Sequence, residues 1–175
     1  MRIYSVSDLH VDYPENTHWA LSLSDVDYLN DILLIVGDLN HHLGNLKKVF
    51  ISLKKKFRAI HFVPGNHDLW LLDGQYDCSL EKFYALQSLC FALDVHMKPV
   101  KYDSVSIVPL MGWCDFSFGR PSHYLRKAWR DFRVCQWSDR LRTNQDINQY
   151  FLSLNIENLS ITNQIVITFS HFCRG

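Results

Sequence analysis

Apolar residues along this chain fall either into short unbroken runs or into longer stretches where they recur every three or four positions. Four runs, Ile3 to Val6, Ile32 to Val36, Ile60 to Val63 and Ile165 to Phe169, are strand-sized and rich in β-formers. Between the second and third runs, Leu43, Leu46, Phe50, Leu53 and Phe57 form one helical stripe. Lys54, Lys55 and Lys56 lie near its C-terminal end, where they favour the helix dipole. Leu80, Phe83, Leu86 and Cys90 mark a second helix after Ser79. A third helix begins at Thr143, with Asp146 placed as a capping-box acid ahead of Ile147, Phe151 and Leu154. Val95 to Tyr102 and Val105 to Pro109 flank Asp103-Ser104, which predicts a hairpin opening a second, partly antiparallel sheet. Strands interleaved with helices predict an α/β chain.

The polar residues that carry chemistry stand where the first three runs end: Asp8-Leu9-His10, Gly37-Asp38-Leu39-Asn40 and Gly65-Asn66-His67-Asp68. Strand ends are where α/β proteins build sites. Asp8 and His10 are two apart, so on an extended chain both side chains project the same way and can converge on one cation, while Leu9 turns into the core. Asp38 can place its two oxygens on different cations, and Gly37 before it lets the backbone turn without a Cβ in the crowded site. Asn66 offers a neutral amide oxygen to a second cation. His67 beside it is a candidate to protonate a leaving alkoxide, with Asp68 placed to orient its ring. Taken singly, Asp8 and Asp38 also suit helix N-caps, and Gly65-Asn66 an ordinary turn. Three such blocks in order, each after an apolar run, favour the metal site.

These blocks resemble the calcineurin-like metallophosphoesterase family, whose pattern runs D-x-H, G-D, G-N-H-D/E, a lone His after a later strand, and finally G-H-x-H. The fourth block matches His171, which follows the run Ile165 to Phe169. No Gly-His-x-His occurs in the chain. The resemblance implies an α/β/β/α sandwich of two mixed sheets, here a single domain over residues 1–175 with its C-terminal strands missing and an exposed sheet edge left behind. It also implies hydrolysis of a phosphomonoester or phosphodiester by a hydroxide bridging two divalent metals. Asp8, His10 and Asp38 would hold one metal, and Asp38, Asn66 and His171 the other. His67 would donate the proton or bind a phosphate oxygen, supported by Asp68. Oxygen and imidazole ligands suit Mn²⁺, Fe or Zn²⁺. Two competing readings are a truncated, catalytically impaired relative acting as a weak metal-binding or interaction module, and a fragment whose natural product continues past His171.

Other features add less. His18, His41, His42, His61, His96 and His123 lack ligand spacing. His41 and His42, directly after the second block, either reach substrate or cap the following helix, and capping is the expectation. Lys plus Arg and Asp plus Glu both total 18, so global charge names no partner. Arg120, Arg126, Lys127, Arg130, Arg133, Arg140 and Arg142 nevertheless cluster around Trp129 and Trp137. This segment either grips phosphate and stacks on bases or packs on its own tryptophans; the second is expected, with nucleic acid an unsupported partner. Trp70, Trp113, Phe116 and Phe118 either line a cleft or simply pack. The expected partner is a phosphorylated substrate of unspecified class. Five cysteines without a C-x-x-C pair, no apolar leader and no membrane-length apolar run predict reduced thiols in a soluble, cytoplasmic protein.

Overall fold

The structure, a computed structural model, describes residues 1–162 and 164–172. The first three apolar runs form β1 (Ile3–Val6), β2 (Ile32–Val36) and β3 (Ala59–Val63), joined in the order β1-β2-β3 as a wholly parallel sheet. A second, mixed sheet has the order β4-β5-β6: β4 (Val100–Tyr102) is antiparallel to β5 (Val105–Pro109), which is parallel to β6 (Ile165–Phe169).

Alternation along the strands assigns their faces. Ile32, Leu34 and Ala59 meet Ile107 of the second sheet, with Val105, Tyr102, Ile167 and Phe169 packed around them. Leu33, Ile35, Ile60 and Phe62 point the other way, into the larger core. There they meet α2 (Leu43–Lys56) through Leu46, Val49, Phe50 and Leu53, and α3 (Ser79–Ala92) through Phe83, Leu86 and Cys90. Strands buried on both faces read as continuous apolar runs, which is why these were conspicuous.

α4 (Asn144–Ser153) carries the expected capping box between Thr143 and Asp146. Its Phe151 packs edge-on against Phe83, 5.1 Å between ring centroids. Beyond its end, the buried Asn155 accepts from the backbone N–H of Met111 and donates to its carbonyl, both at 2.8 Å, anchoring the chain that leaves β5. α1 (Pro14–Ser22) was not predicted: it has no side-chain cap and buries only Ala20, so it leaves no stripe to read.

The hairpin differs from expectation at its start. Residues 95–99 do not extend β4; instead His96 bridges β3, donating to Ile60 O and accepting from Phe62 N, both at 2.9 Å. The chain thus touches the edge of the first sheet before entering the second. β6 has partly exposed Ile165 (49%) and Val166 (43%). Cys78, Cys90, Cys114 and Cys135 are free thiols, and Cys173 lies outside the described residues. No described helix is long and apolar enough to cross a membrane.

Candidate metal centre

Loops leaving β1, β2 and β3 meet the loop leaving β6, which brings Asp8, His10, Asp38, Asn66, His67 and His171 together. Backbone bonds knit the first two loops: Asp8 N donates to Gly37 O (3.1 Å), His10 N to Asp38 O (3.0 Å) and Val11 N to Leu39 O (2.9 Å). Asp8, His10 and Asp38 all have positive φ, at 53°, 44° and 54°. This conformation costs a non-glycine residue on the order of 1–3 kcal/mol and persists where surroundings over-determine it. β1 ends at Val6, so Asp8 and His10 converge through left-handed turns and not through the expected extended alternation.

Asp68 supplies the frame beneath these loops. Fully buried, its carboxylate accepts from the backbone N–H groups of Asp38 (2.9 Å), Leu39 (2.8 Å), Asn40 (2.9 Å) and Gly65 (2.8 Å). The expected support of the His67 ring is therefore corrected. The 3-10 turn His67–Leu69 sends the carboxylate inward, while the ring lies tilted 4.1 Å from Trp70 and edge-on 4.6 Å from His10. Burial pushes Asp68 up to about 6, against its amide donors.

Two candidate groups of ligand atoms share Asp38. Donor atoms of Asp8, His10 and Asp38 lie within 4.8 Å of one another. In the second group, His171 Nε2 lies 3.3 Å from Asn66 Oδ1 and 3.5 Å from Asp38 Oδ1. Atoms bound to one cation at about 2.0–2.2 Å are themselves roughly 3 to 3.5 Å apart, a spacing that His171 Nε2 already has to both oxygens. His171 Nδ1 lies 2.9 Å from Val36 O. A carbonyl only accepts, so Nδ1 carries a proton, and in the neutral ring Nε2 presents a lone pair. Nε2, Asn66 Oδ1 and Asp38 Oδ1 are thus three converging acceptors, an arrangement that fits a cation. A Cβ at Gly37 would collide with the His171 ring, and one at Gly65 with the Asp38 carboxylate, so the two glycines keep this cradle open. Burial raises the Asp38 pKa, opposed by His171 and by the His67 N–H that donates to its carboxylate at 2.9 Å.

Two neighbours, Asp12 and Asp131, were missed by sequence reasoning, and a third, His41, was expected to cap. Asp12 Oδ1 lies 3.5 Å from His67 Nε2 and 4.0 Å from His10 Nδ1. Its signal was available, since Asp8, His10 and Asp12 repeat one two-residue step. His41, expected to cap, instead places Nδ1 3.4 Å from His67 Nε2, while His42 is the cap, accepting from Gly44 N at 3.2 Å. Asp131, far along the chain, accepts from Trp70 Nε1 (2.6 Å) and Asn66 Nδ2 (3.1 Å) through one oxygen, and nothing local announces it.

Burial lowers His67 to about 4, Asp12 opposing, and burial with Lys82 nearby also lowers His41. Lys82, itself fully buried, donates to the carbonyls of His41 and Trp70.

The arginine-rich segment packs on aromatics, as expected, and also reaches the border of the site. Phe116, Trp129 and Phe132 pack on one another, with Arg126 over Phe132. Arg130 stands 5.0 Å over the Trp70 ring, at the border of the site. Trp113 packs against Trp137 and Phe151, while Phe118 is 79% exposed.

The chain is similar to several known proteins. The family model for calcineurin-like phosphoesterases matches residues 1–171. "[Acyl-carrier-protein] phosphodiesterase PptH" of Mycobacterium tuberculosis is 28% identical over 127 residues, 66% of this chain and 38% of that protein. "Uncharacterized protein L509" of Acanthamoeba polyphaga mimivirus is 27% identical over 146 residues, 77% of this chain and 51% of its own length. The chain therefore spans between about two fifths and one half of these relatives. The crystal structure of phosphopantetheinyl hydrolase (PptH) from Mycobacterium tuberculosis superposes with a TM-score of 0.80 at 22% identity, covering 98% of this chain and 68% of the other. That agreement places both sheets in the metallophosphoesterase fold, and with the match over residues 1–171 the conclusion is that this chain belongs to the calcineurin-like phosphoesterase family.

Proposed function

We propose that this chain hydrolyses a phosphoester at a two-cation centre, one cation held by Asp8, His10 and Asp38 and the other by Asp38, Asn66 and His171. The observation that carries this reading is the Asp38 carboxylate, common to two groups of ligand atoms. When bound, Mn²⁺, Fe or Zn²⁺ would supply Lewis acidity, lowering the pKa of water and neutralising charge on phosphoryl oxygens.

The chain's own groups do the rest. His67 Nδ1 is buried without a hydrogen-bond partner, whereas Nε2 faces Asp12 and His41. The neutral ring therefore carries its proton on Nε2, in reach of the carboxylate. That N–H binds a phosphate oxygen. The negative charge of the substrate raises the ring's proton affinity, and the ring that has taken up a second proton on Nδ1 can give its Nε2 proton to the leaving oxygen and return to neutral. Arg130, whose guanidinium makes no hydrogen bond among the described residues, offers further donors above Trp70. The similarity to a protein named a phosphodiesterase makes a diester the first substrate to try.

The test is hydrolysis of bis(p-nitrophenyl) phosphate and p-nitrophenyl phosphate by metal-stripped protein with Mn²⁺ restored. Turnover that needs Mn²⁺ and is lost in Asp38→Asn supports the reading, with the diester turned over faster. Turnover without metal, or retained in Asp38→Asn, contradicts it.

A further inference from the structure

We propose that Asp131 is a positioning residue for the second cation, holding the Asn66 amide so that its oxygen, and not its nitrogen, faces His171 and Asp38. The inference rests on the two-cation reading and adds a residue to it from the arginine-rich segment.

Asn66 has an oxygen that only accepts and a nitrogen that only donates. Asp131 Oδ1 takes the Nδ2 hydrogen at 3.1 Å, and a carboxylate cannot donate in return. Turning the amide over would set two oxygens against each other at Asp131. On the opposite side, Oδ1 stands 3.3 Å from His171 Nε2, whose proton is on the far nitrogen, bonded to Val36 O. Oxygen and nitrogen lone pairs therefore face each other with no hydrogen between them. Without a cation, a freely turning amide would instead donate Nδ2–H to His171 Nε2 and close the site. Asp131 opposes that flip. The same oxygen accepts from Trp70 Nε1 at 2.6 Å, which fixes the carboxylate, and Trp70 in turn lies against His67. Asp131 opens the short helix Asp131–Val134, so the segment expected to pack only on itself also reaches beneath a ligand.

Outer partners of metal ligands are typically worth about 10- to 100-fold in metal affinity. Mn²⁺ titration calorimetry on the full chain should show Asp131→Leu weakening one cation by about that factor, with Asp131→Ala as substitute if the leucine variant does not fold. Asp131→Asn keeps an acceptor oxygen and should bind like the wild type. In an Asn66→Asp background there is no amide to orient, so adding Asp131→Leu should cost nothing or tighten binding by removing a neighbouring negative charge. In the unaltered metal-free protein, the Asn66 side-chain amide protons should exchange slowly with solvent. Wild-type affinity in both Asp131→Leu and Asp131→Ala overturns the proposal alone. So does an equal loss in the Asn66→Asp background, or fast exchange of those amide protons. A wild-type protein that binds no Mn²⁺ overturns the two-cation reading and this inference with it.

Discussion

His171 Nδ1 lies 2.9 Å from the carbonyl oxygen of Val36, so the loop after an edge strand of the second sheet is tied to the end of the central strand of the first. One hydrogen bond thereby closes the sandwich at its site end and selects the tautomer that turns Nε2 toward Asp38 and Asn66. The closeness of this approach leads directly to the first prediction.

Gly65→Ala should damage the site more than the fold. Its added Cβ would overlap the Asp38 carboxylate and crowd His171 Nε2, while the Gly65 backbone is not in the left-handed region. Overpacking of this kind costs about 1–3 kcal/mol. Calorimetry should find Mn²⁺ affinity reduced at least tenfold, about 1.4 kcal/mol or more, with an unchanged far-UV spectrum.

Asp68→Ala should be among the most destabilising single changes in the chain. It leaves four backbone N–H groups, from Asp38, Leu39, Asn40 and Gly65, without their acceptor in a buried place. Each orphaned group costs about 1–3 kcal/mol, reduced where water enters the gap, so a total of about 3 kcal/mol or more is expected from urea unfolding. A loss below about 1 kcal/mol would mean that the amides find other partners.

His67→Gln should leave Mn²⁺ affinity near wild type, because the ring is in neither proposed ligand group. Turnover of an alkyl phosphoester, with its poor leaving group, should fall by about 10²–10⁴, and that of nitrophenyl esters much less, as expected for loss of a proton donor. Equal losses on both substrates would assign the ring to binding alone.

Two buried rings should cost the fold stability on acidification, offset in part by Asp68, which takes up its proton at about 6. Burial with His96 nearby lowers His61 to about 3, and burial lowers His67 to about 4. Both rings are therefore neutral in the folded protein, whereas the unfolded chain takes up protons below about 6.5. Their contribution is fully present above about pH 6.5 and is lost as pH falls toward those depressed values, at about 1.4 kcal/mol per pH unit for each ring. Urea midpoints should fall between about pH 6.5 and pH 5. His61→Gln, which keeps a donor for the Tyr102 hydroxyl that now lies 2.9 Å from the ring, should flatten that slope.

Strand runs and strand-end blocks were legible because a strand buried on both faces leaves an unbroken apolar run, and the residues ending it stand out by contrast. His171 stood out in the same way after β6, a run of β-formers that is partly exposed. The role of Asp68 could not, since adjacency to His67 suggested a ring contact, and only the tight turn at His67–Leu69 reveals that the carboxylate goes to four amides. Asp131 is 65 residues from Asn66 in sequence, inside a segment whose charge and tryptophans drew attention away from its one inward-turned acid. His41 escaped because its twin, His42, does cap the helix. Residues 95–99 misled for a different reason: a single bridge at His96 has the apolar character of a strand without its length.

The most direct measurement is Mn²⁺ binding followed by electron paramagnetic resonance in the wild type and in Asp38→Asn. A carboxylate shared between two ligand groups should give two bound Mn²⁺ with a spin-coupled spectrum in the wild type, and no coupled pair in Asp38→Asn. Uncoupled Mn²⁺ in the wild type, or the same coupled spectrum in both proteins, would contradict a centre bridged by Asp38.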